Sequence, residues 1–150
     1  MTTIVTEIHI TRPPDEVFAY MRDYANQAVW QAPHVTEVVV EPPGPAQLGT
    51  IVHKMRKTPM GKQRLNERVV EIDEAARHWA EVTVDGPLRG STVTWQVEAE
   101  QDGSRVRREA HTRAGWPMRL LLPLINRASS KAAQAEFMEL RRLLESAPTM

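Results

Sequence analysis

A chain of 150 residues with 41% hydrophobic and 25% charged content fits one ordinary domain and excludes wholesale disorder. Nineteen basic residues balance nineteen acidic ones, so no global field draws in nucleic acid or an anionic membrane. Cysteine is absent, which excludes a disulfide scaffold, a thiolate nucleophile and a zinc–thiolate site and suits a reducing cytoplasm.

Residues 1–10 lack the apolar block of a secretory signal. Ile4, Thr6, Ile8 and Ile10 alternate with Val5, Glu7, His9 and Thr11, which predicts a half-buried strand. Pro13-Pro14 stop it, and Asp15-Glu16 stand where a helix N-terminus favours acids. Val17, Phe18 and Met21 recur at helical spacing, giving a short helix over 14–23, and a second short turn is expected from Asn26 to Trp30.

From residue 35 to 113 the pattern is strand-like with turn punctuation. Strands are expected around Thr36–Val40, Gly49–Lys57, Arg64–Ile72, His78–Val84, Ser91–Glu100 and Arg105–Arg113. They are separated by the turn signals Pro42-Pro43-Gly44-Pro45, Pro59-Met60-Gly61, Asp73-Glu74-Ala75-Ala76, Asp85-Gly86-Pro87 and Asp102-Gly103. Regular strands with short turns mean an antiparallel meander.

Residues 118–146 switch to helical spacing, with Ala128, Ala132, Ala133, Ala135, Phe137, Leu140, Leu143 and Leu144 at three- and four-residue intervals. Pro123 either kinks this helix or marks its start. The apolar run 120–125 is too short to span a bilayer. No linker or repeat interrupts the chain. Residues 1–150 are therefore expected to form one soluble, cytoplasmic domain of α+β class: a curved antiparallel sheet of about seven strands, two short helices, and a long C-terminal helix enclosing a cavity.

This order resembles the START-like (SRPBCC) superfamily and, within it, the polyketide cyclase/dehydrase branch. Ile8 to Phe18, running Ile-His-Ile-Thr-Arg-Pro-Pro-Asp-Glu-Val-Phe, is similar to that branch's strand-to-helix opening. Trp30 stands after the second short helix as the family's tryptophan does, and Asp85-Gly86-Pro87, Trp95 and Asp102-Gly103-Ser104 match further spaced features. The resemblance covers roughly residues 4 to 145. It implies the helix-grip fold. It implies little about substrate, because the superfamily includes lipid carriers, hormone receptors and cyclases.

The resemblance places Trp30 and Trp95 on the pocket wall. Trp79 alternates with Ala80, Val82 and Val84 and is expected on the opposite face, and Trp116 is expected to pack at the strand-to-helix corner. On the strand around residue 53, burying Lys54 with Arg56 is costly if both are unpaired, so Ile51, His53 and Met55 are expected to point inward. Aromatase/cyclases of the family use an inward arginine to polarise a polyketide carbonyl, and Arg68 is the nearest match, although a one-residue slip would exchange the faces. Arg108 shares its face with Val106, Ala110 and Thr112, the face expected to look inward. Ile125, in the first turn of the long helix after Pro123, completes the candidate ligand-binding set, and that turn is expected to act as a flap.

No histidine pair has metal-ligand spacing, no serine sits in a nucleophile elbow, and no glycine-rich phosphate loop is present. No cofactor is implied. The preferred reading is a carrier or sensor that binds a hydrophobic small molecule of lipid, isoprenoid or polyketide type. It carries no nucleic-acid partner and no membrane insertion, and is a monomer or homodimer. The alternative is a cyclase, aromatase or dehydratase, with Arg68 or Arg108 stabilising oxyanion charge and His53 moving a proton. A third reading is a partner-binding module with a vestigial pocket.

Overall fold

The computed structural model describes residues 2–59 and 61–146. Strand β1 (Thr2–Ile10) is followed by helices α1 (Pro14–Arg22) and α2 (Tyr24–Trp30). Six strands come next: β2 (Val35–Glu41), β3 (Ile51–Thr58), β4 (Gly61–Asp73), β5 (His78–Thr83), β6 (Thr92–Glu100) and β7 (Gly103–Thr112). A 3₁₀ turn at Met118–Leu121 leads into the long helix α3 (Leu122–Ser146). The strands form one antiparallel sheet in the order β1-β7-β6-β5-β4-β3-β2. This is the helix-grip arrangement that the order of elements predicts.

Local chemistry explains the boundaries. Pro14 occupies the first turn of α1, where a missing N–H costs nothing, and Asp15 and Glu16 complement the helix dipole there. The carboxylate of Asp23 accepts a 3.1 Å bond from the Ala25 N–H and so caps α2. Pro123 is the second residue of α3, so it marks the helix start and produces no kink. At about 1.5 Å per residue, α3 is roughly 37 Å long, enough to cross the whole sheet.

Gly103 opens β7 at the Asp-Gly turn, pairing with Glu100, while Asp102 takes a left-handed φ of 63°. A side chain at position 103 would put its Cβ 2.1 Å from the Ile10 carbonyl oxygen. Glycine is what lets β7 begin against the end of β1.

Val17, Phe18 and Met21 of α1, Tyr24 and Trp30 of α2, and Phe137, Leu140 and Leu144 of α3 bury themselves on the concave face. There they meet Ile10, Val52, Val69, Trp79, Trp95, Val97 and Val106 from the strands. The end of α3 is tied back to the end of β1. Glu145 accepts from the Thr11 N–H (2.9 Å) and hydroxyl (2.8 Å), and Arg12 Nε donates to the Leu144 carbonyl at 2.8 Å. Among the described residues, no helix is long and apolar enough to cross a membrane.

Candidate functional site

Between the middle of the sheet and α3 lies a cavity of about 100 Å³. Its apolar wall is built from Leu65, Val93, Trp95, Ala110, Ile125 and Ala132. An apolar cavity of about 150 Å³ holds benzene, and clefts for drug-sized ligands run to roughly 300–1,000 Å³. The space therefore suits one ring or a short branched chain.

The cavity floor is polar, and its charges follow a pairing scheme. Lys54 on β3 and Glu67 on β4 are both buried, with Nζ 2.5 Å from Oε1. No donor is well directed at that oxygen, so the contact is an ion pair more than a shaped hydrogen bond. Arg56, two residues along β3, reaches Glu136 of α3 at 3.3 Å. Glu136 also accepts a 2.8 Å bond from Gln31 Nε2 and lies 3.6 Å from His34 Nδ1. Each cation is held inside because a carboxylate comes from a neighbouring element to meet it.

Glu81 on β5 is fully enclosed. It accepts hydrogen bonds from the Tyr24 hydroxyl and, at 2.7 Å, from Trp95 Nε1. Burial first, and Glu67 second, weaken its acidity, so its carboxyl holds a proton to higher pH than an ordinary glutamate. Burial likewise raises the pKa of Tyr24, and the neighbouring Glu81 raises it further.

Arg108 on β7 stands directly across the ladder from Trp95 on β6. This cross-strand pairing lays the guanidinium over the indole face, 5.6 Å from the ring centroid. Burial, with Arg56 adding to it, lowers the Arg108 pKa to about 10. Trp95 in turn stacks on Trp79 at 5.7 Å and meets Trp30 edge-on at 5.8 Å. This aromatic cluster fixes the plane on which Arg108 rests.

The structure separates the predicted residues into two groups. Trp95, Arg108 and Ile125 line the cavity. Trp30 is 1% exposed and lies behind Trp95 and Phe137, backing the wall without forming it. The face assignment of β3 is reversed: Val52, Lys54 and Arg56 point inward, while Ile51, His53 and Met55 lie on the outer face. The premise that Lys54 and Arg56 would be unpaired inside fails, because Glu67 and Glu136 supply the counter-charges. Outside, His53 bonds Asn66 at 2.7 Å and approaches Glu41 at 3.4 Å, and the Asn66 contact chiefly raises its pKa.

Arg68 is exposed on the outer face as well, since Leu65, Glu67 and Val69 hold the inner one. Trp79 is buried and shares the inner face with Glu81 and Thr83, contrary to expectation, because its bulk goes where the core is. Trp116 is 72% exposed and does not pack. With Leu120 and Leu121 it borders an open depression of about 940 Å³ beside the 86–90 turn. The cover of the cavity is formed by Ile125, in the first turn of α3, together with Ala128, Ser129 and Ala132 further along it.

Glu67, Glu81 and Gln31 carry no assignment from the sequence, and Lys54 and Arg56 were assigned to the outer face. A usable signal exists. Thr58 pairs with Gly61, and that register brings Lys54 and Glu67 diagonally together on the face of Val52 and Val69. Among the described residues, no group of three His, Asp or Glu side chains is placed to hold a metal ion.

The profile of the family described as "Polyketide cyclase / dehydrase and lipid transport" matches residues 1–145. No curated protein sequence matches the chain. Among solved structures, TTHA0849 from Thermus thermophilus is similar with a TM-score of 0.83 and 19% identity, over 97% of this chain and 100% of that one. The di-domain ARO/CYC BexL from the BE-7585A biosynthetic pathway is similar with a TM-score of 0.74 and 22% identity, over 97% of this chain and 47% of that one. The di-domain ARO/CYC StfQ from the steffimycin biosynthetic pathway gives 0.73 and 12%, over 93% and 49%. This chain thus spans about half the length of each di-domain protein, and the likenesses concern the fold.

Proposed function

The chain belongs to the polyketide cyclase/dehydrase and lipid transport family, and from that premise we propose that it binds a compact hydrophobic molecule in the cavity beneath α3, as a carrier or sensor. One observation carries this reading: a partly open cavity with mainly apolar walls persists between the sheet and α3, at the margin of an otherwise close-packed core. Its size favours a single ring or short branched chain over a long acyl tail. Native mass spectrometry of the whole chain with neutral apolar probes such as indole and toluene tests it. One-to-one adducts that weaken when Ala132→Phe fills the cavity are expected. Absence of any adduct with these probes and with small apolar acids and amides alike overturns the reading.

A second reading, cyclase or dehydratase chemistry, is favoured by the meeting of Glu81 and Arg108 in one cavity. A carboxyl whose pKa burial raises, sharing a cavity with a guanidinium, has the parts for a dehydration in which the α-proton leaves to water, the guanidinium stabilises the enolate oxygen and the carboxyl protonates the departing hydroxyl. His53 and Arg68 take no part, being outside. Glu81→Gln would then bind a β-hydroxy carbonyl probe normally while losing its dehydration. Turnover that persists in both Glu81→Gln and Arg108→Met sinks this assignment.

A further inference from the structure

Four cationic side chains line the cavity; Lys57 is exposed to solvent at its rim, and among the inner three, Lys54, Arg56 and Arg108, lie three buried carboxyls, Glu67, Glu81 and Glu136. Lys54 takes Glu67 and Arg56 takes Glu136. Glu81 is already served by Tyr24 and Trp95. Arg108 is the cation left over. Its Nε and Nη1 are buried with no hydrogen-bond partner, and none of the ion pairs among the described residues includes it. The group is 6% exposed, and its companion is the neutral face of Trp95.

A guanidinium offers five N–H donors in a fixed fork, and leaving a buried one unmet is costly. Folds keep such a group in a cavity when something else completes it. We propose that Arg108 receives the carboxylate of a monoanionic ligand, whose apolar body lies along Trp95, Val93, Ala110 and Ile125. This inference rests on the reading of the cavity as a ligand site and names the class of ligand. The planar fork matches the two oxygens of a carboxylate. A doubly charged phosphate suits the site less well, because its second charge would face Glu67 and Glu81 in a poorly screened interior. The cavity volume of about 100 Å³ limits the body to roughly one ring. With its pKa at about 10, Arg108 is charged at neutral pH and ready for such a partner.

The test is calorimetric titration of the whole chain at neutral pH with two pairs of near-isosteres: benzoate against benzamide, and isovalerate against isovaleramide. Each acid is expected to bind about tenfold or more tightly than its amide. In Arg108→Met the preference should shrink to within roughly threefold while amide binding holds. Arg108→Lys keeps the charge without the fork and should fall between. It serves if the methionine variant does not fold. Equal affinity for acid and amide in the native chain, or a preference that survives in Arg108→Met, overturns the proposal alone. Failure of acids, amides and the neutral probes indole and toluene alike overturns the cavity reading beneath it.

Discussion

Lys54 Nζ lies 2.5 Å from Glu67 Oε1, with the two side chains only 4% and 6% exposed. Their positions on adjacent strands, diagonal across the β3–β4 ladder, let each strand carry a charge into the core. Neither charge is tolerable there alone.

Removing one member should therefore be worse than removing both. Lys54→Met leaves Glu67 buried and uncompensated, and about 3–5 kcal/mol of stability should be lost. The double variant Lys54→Met/Glu67→Leu should return to within about 1 kcal/mol of the native chain, because packed apolar residues replace a buried pair at little cost. Urea unfolding of the four proteins in the cycle measures this. A single variant as stable as the native chain contradicts it.

Glu81 ties stability to pH in the less common direction. Its folded pKa is raised above the ordinary 4.5, so from that value upward the folded chain holds a proton that the unfolded chain has released. The contribution is complete below 4.5 and is lost as pH rises through the folded value. Unfolding free energies from about pH 4 to about pH 8 should fall more steeply in the native chain than in Glu81→Gln, which has no proton to lose. Parallel curves would refute the assignment.

Gly103→Ala should destabilise by about 1–3 kcal/mol, read as a lowered Tm, because its Cβ would meet the Ile10 carbonyl oxygen. The separation of 2.1 Å is to backbone, which has no rotamer to yield. Gly115→Ala is the control. Nothing lies within 4 Å of a Cβ there, and Tm should stay where it is.

Only one of the four tryptophans should respond to an aqueous quencher. Trp116 is 72% exposed, whereas Trp30, Trp79 and Trp95 are 1%, 1% and 2% exposed. Iodide should quench a single component of the emission, and Trp116→Phe should abolish that component while changing stability by less than about 0.5 kcal/mol. Quenching that persists in the variant would contradict the burial of the other three.

The architecture was legible because its signals are local. Turn dipeptides such as Asp102-Gly103, period-two strands and a three-four spacing after Pro123 each act within a few residues. The inward face of β7 was legible too, since Val106 and Ala110 flank Arg108 on it. The faces of β3 and β5 were not. Alternation sorts residues into two sets without saying which set goes inside, and charge is a poor guide when the counter-charge comes from elsewhere. Glu136, which meets Arg56, lies eighty positions away on α3. On β5 both sets contain apolar residues, and the volume of Trp79 outweighs the combined claim of Ala80 and Val82.

The ties between Thr11 and Glu145 join residues 134 positions apart, and β1 finds its strand partner only when Thr112 reaches Thr2. In chain order β1 precedes both of the elements that complete it, β7 and α3. Until β7 pairs with it that strand has an open hydrogen-bonding edge, and the cavity has no roof until α3 arrives. Closing the sheet at β1 and roofing the cavity are therefore expected to be late folding events, because both wait for β7 and α3.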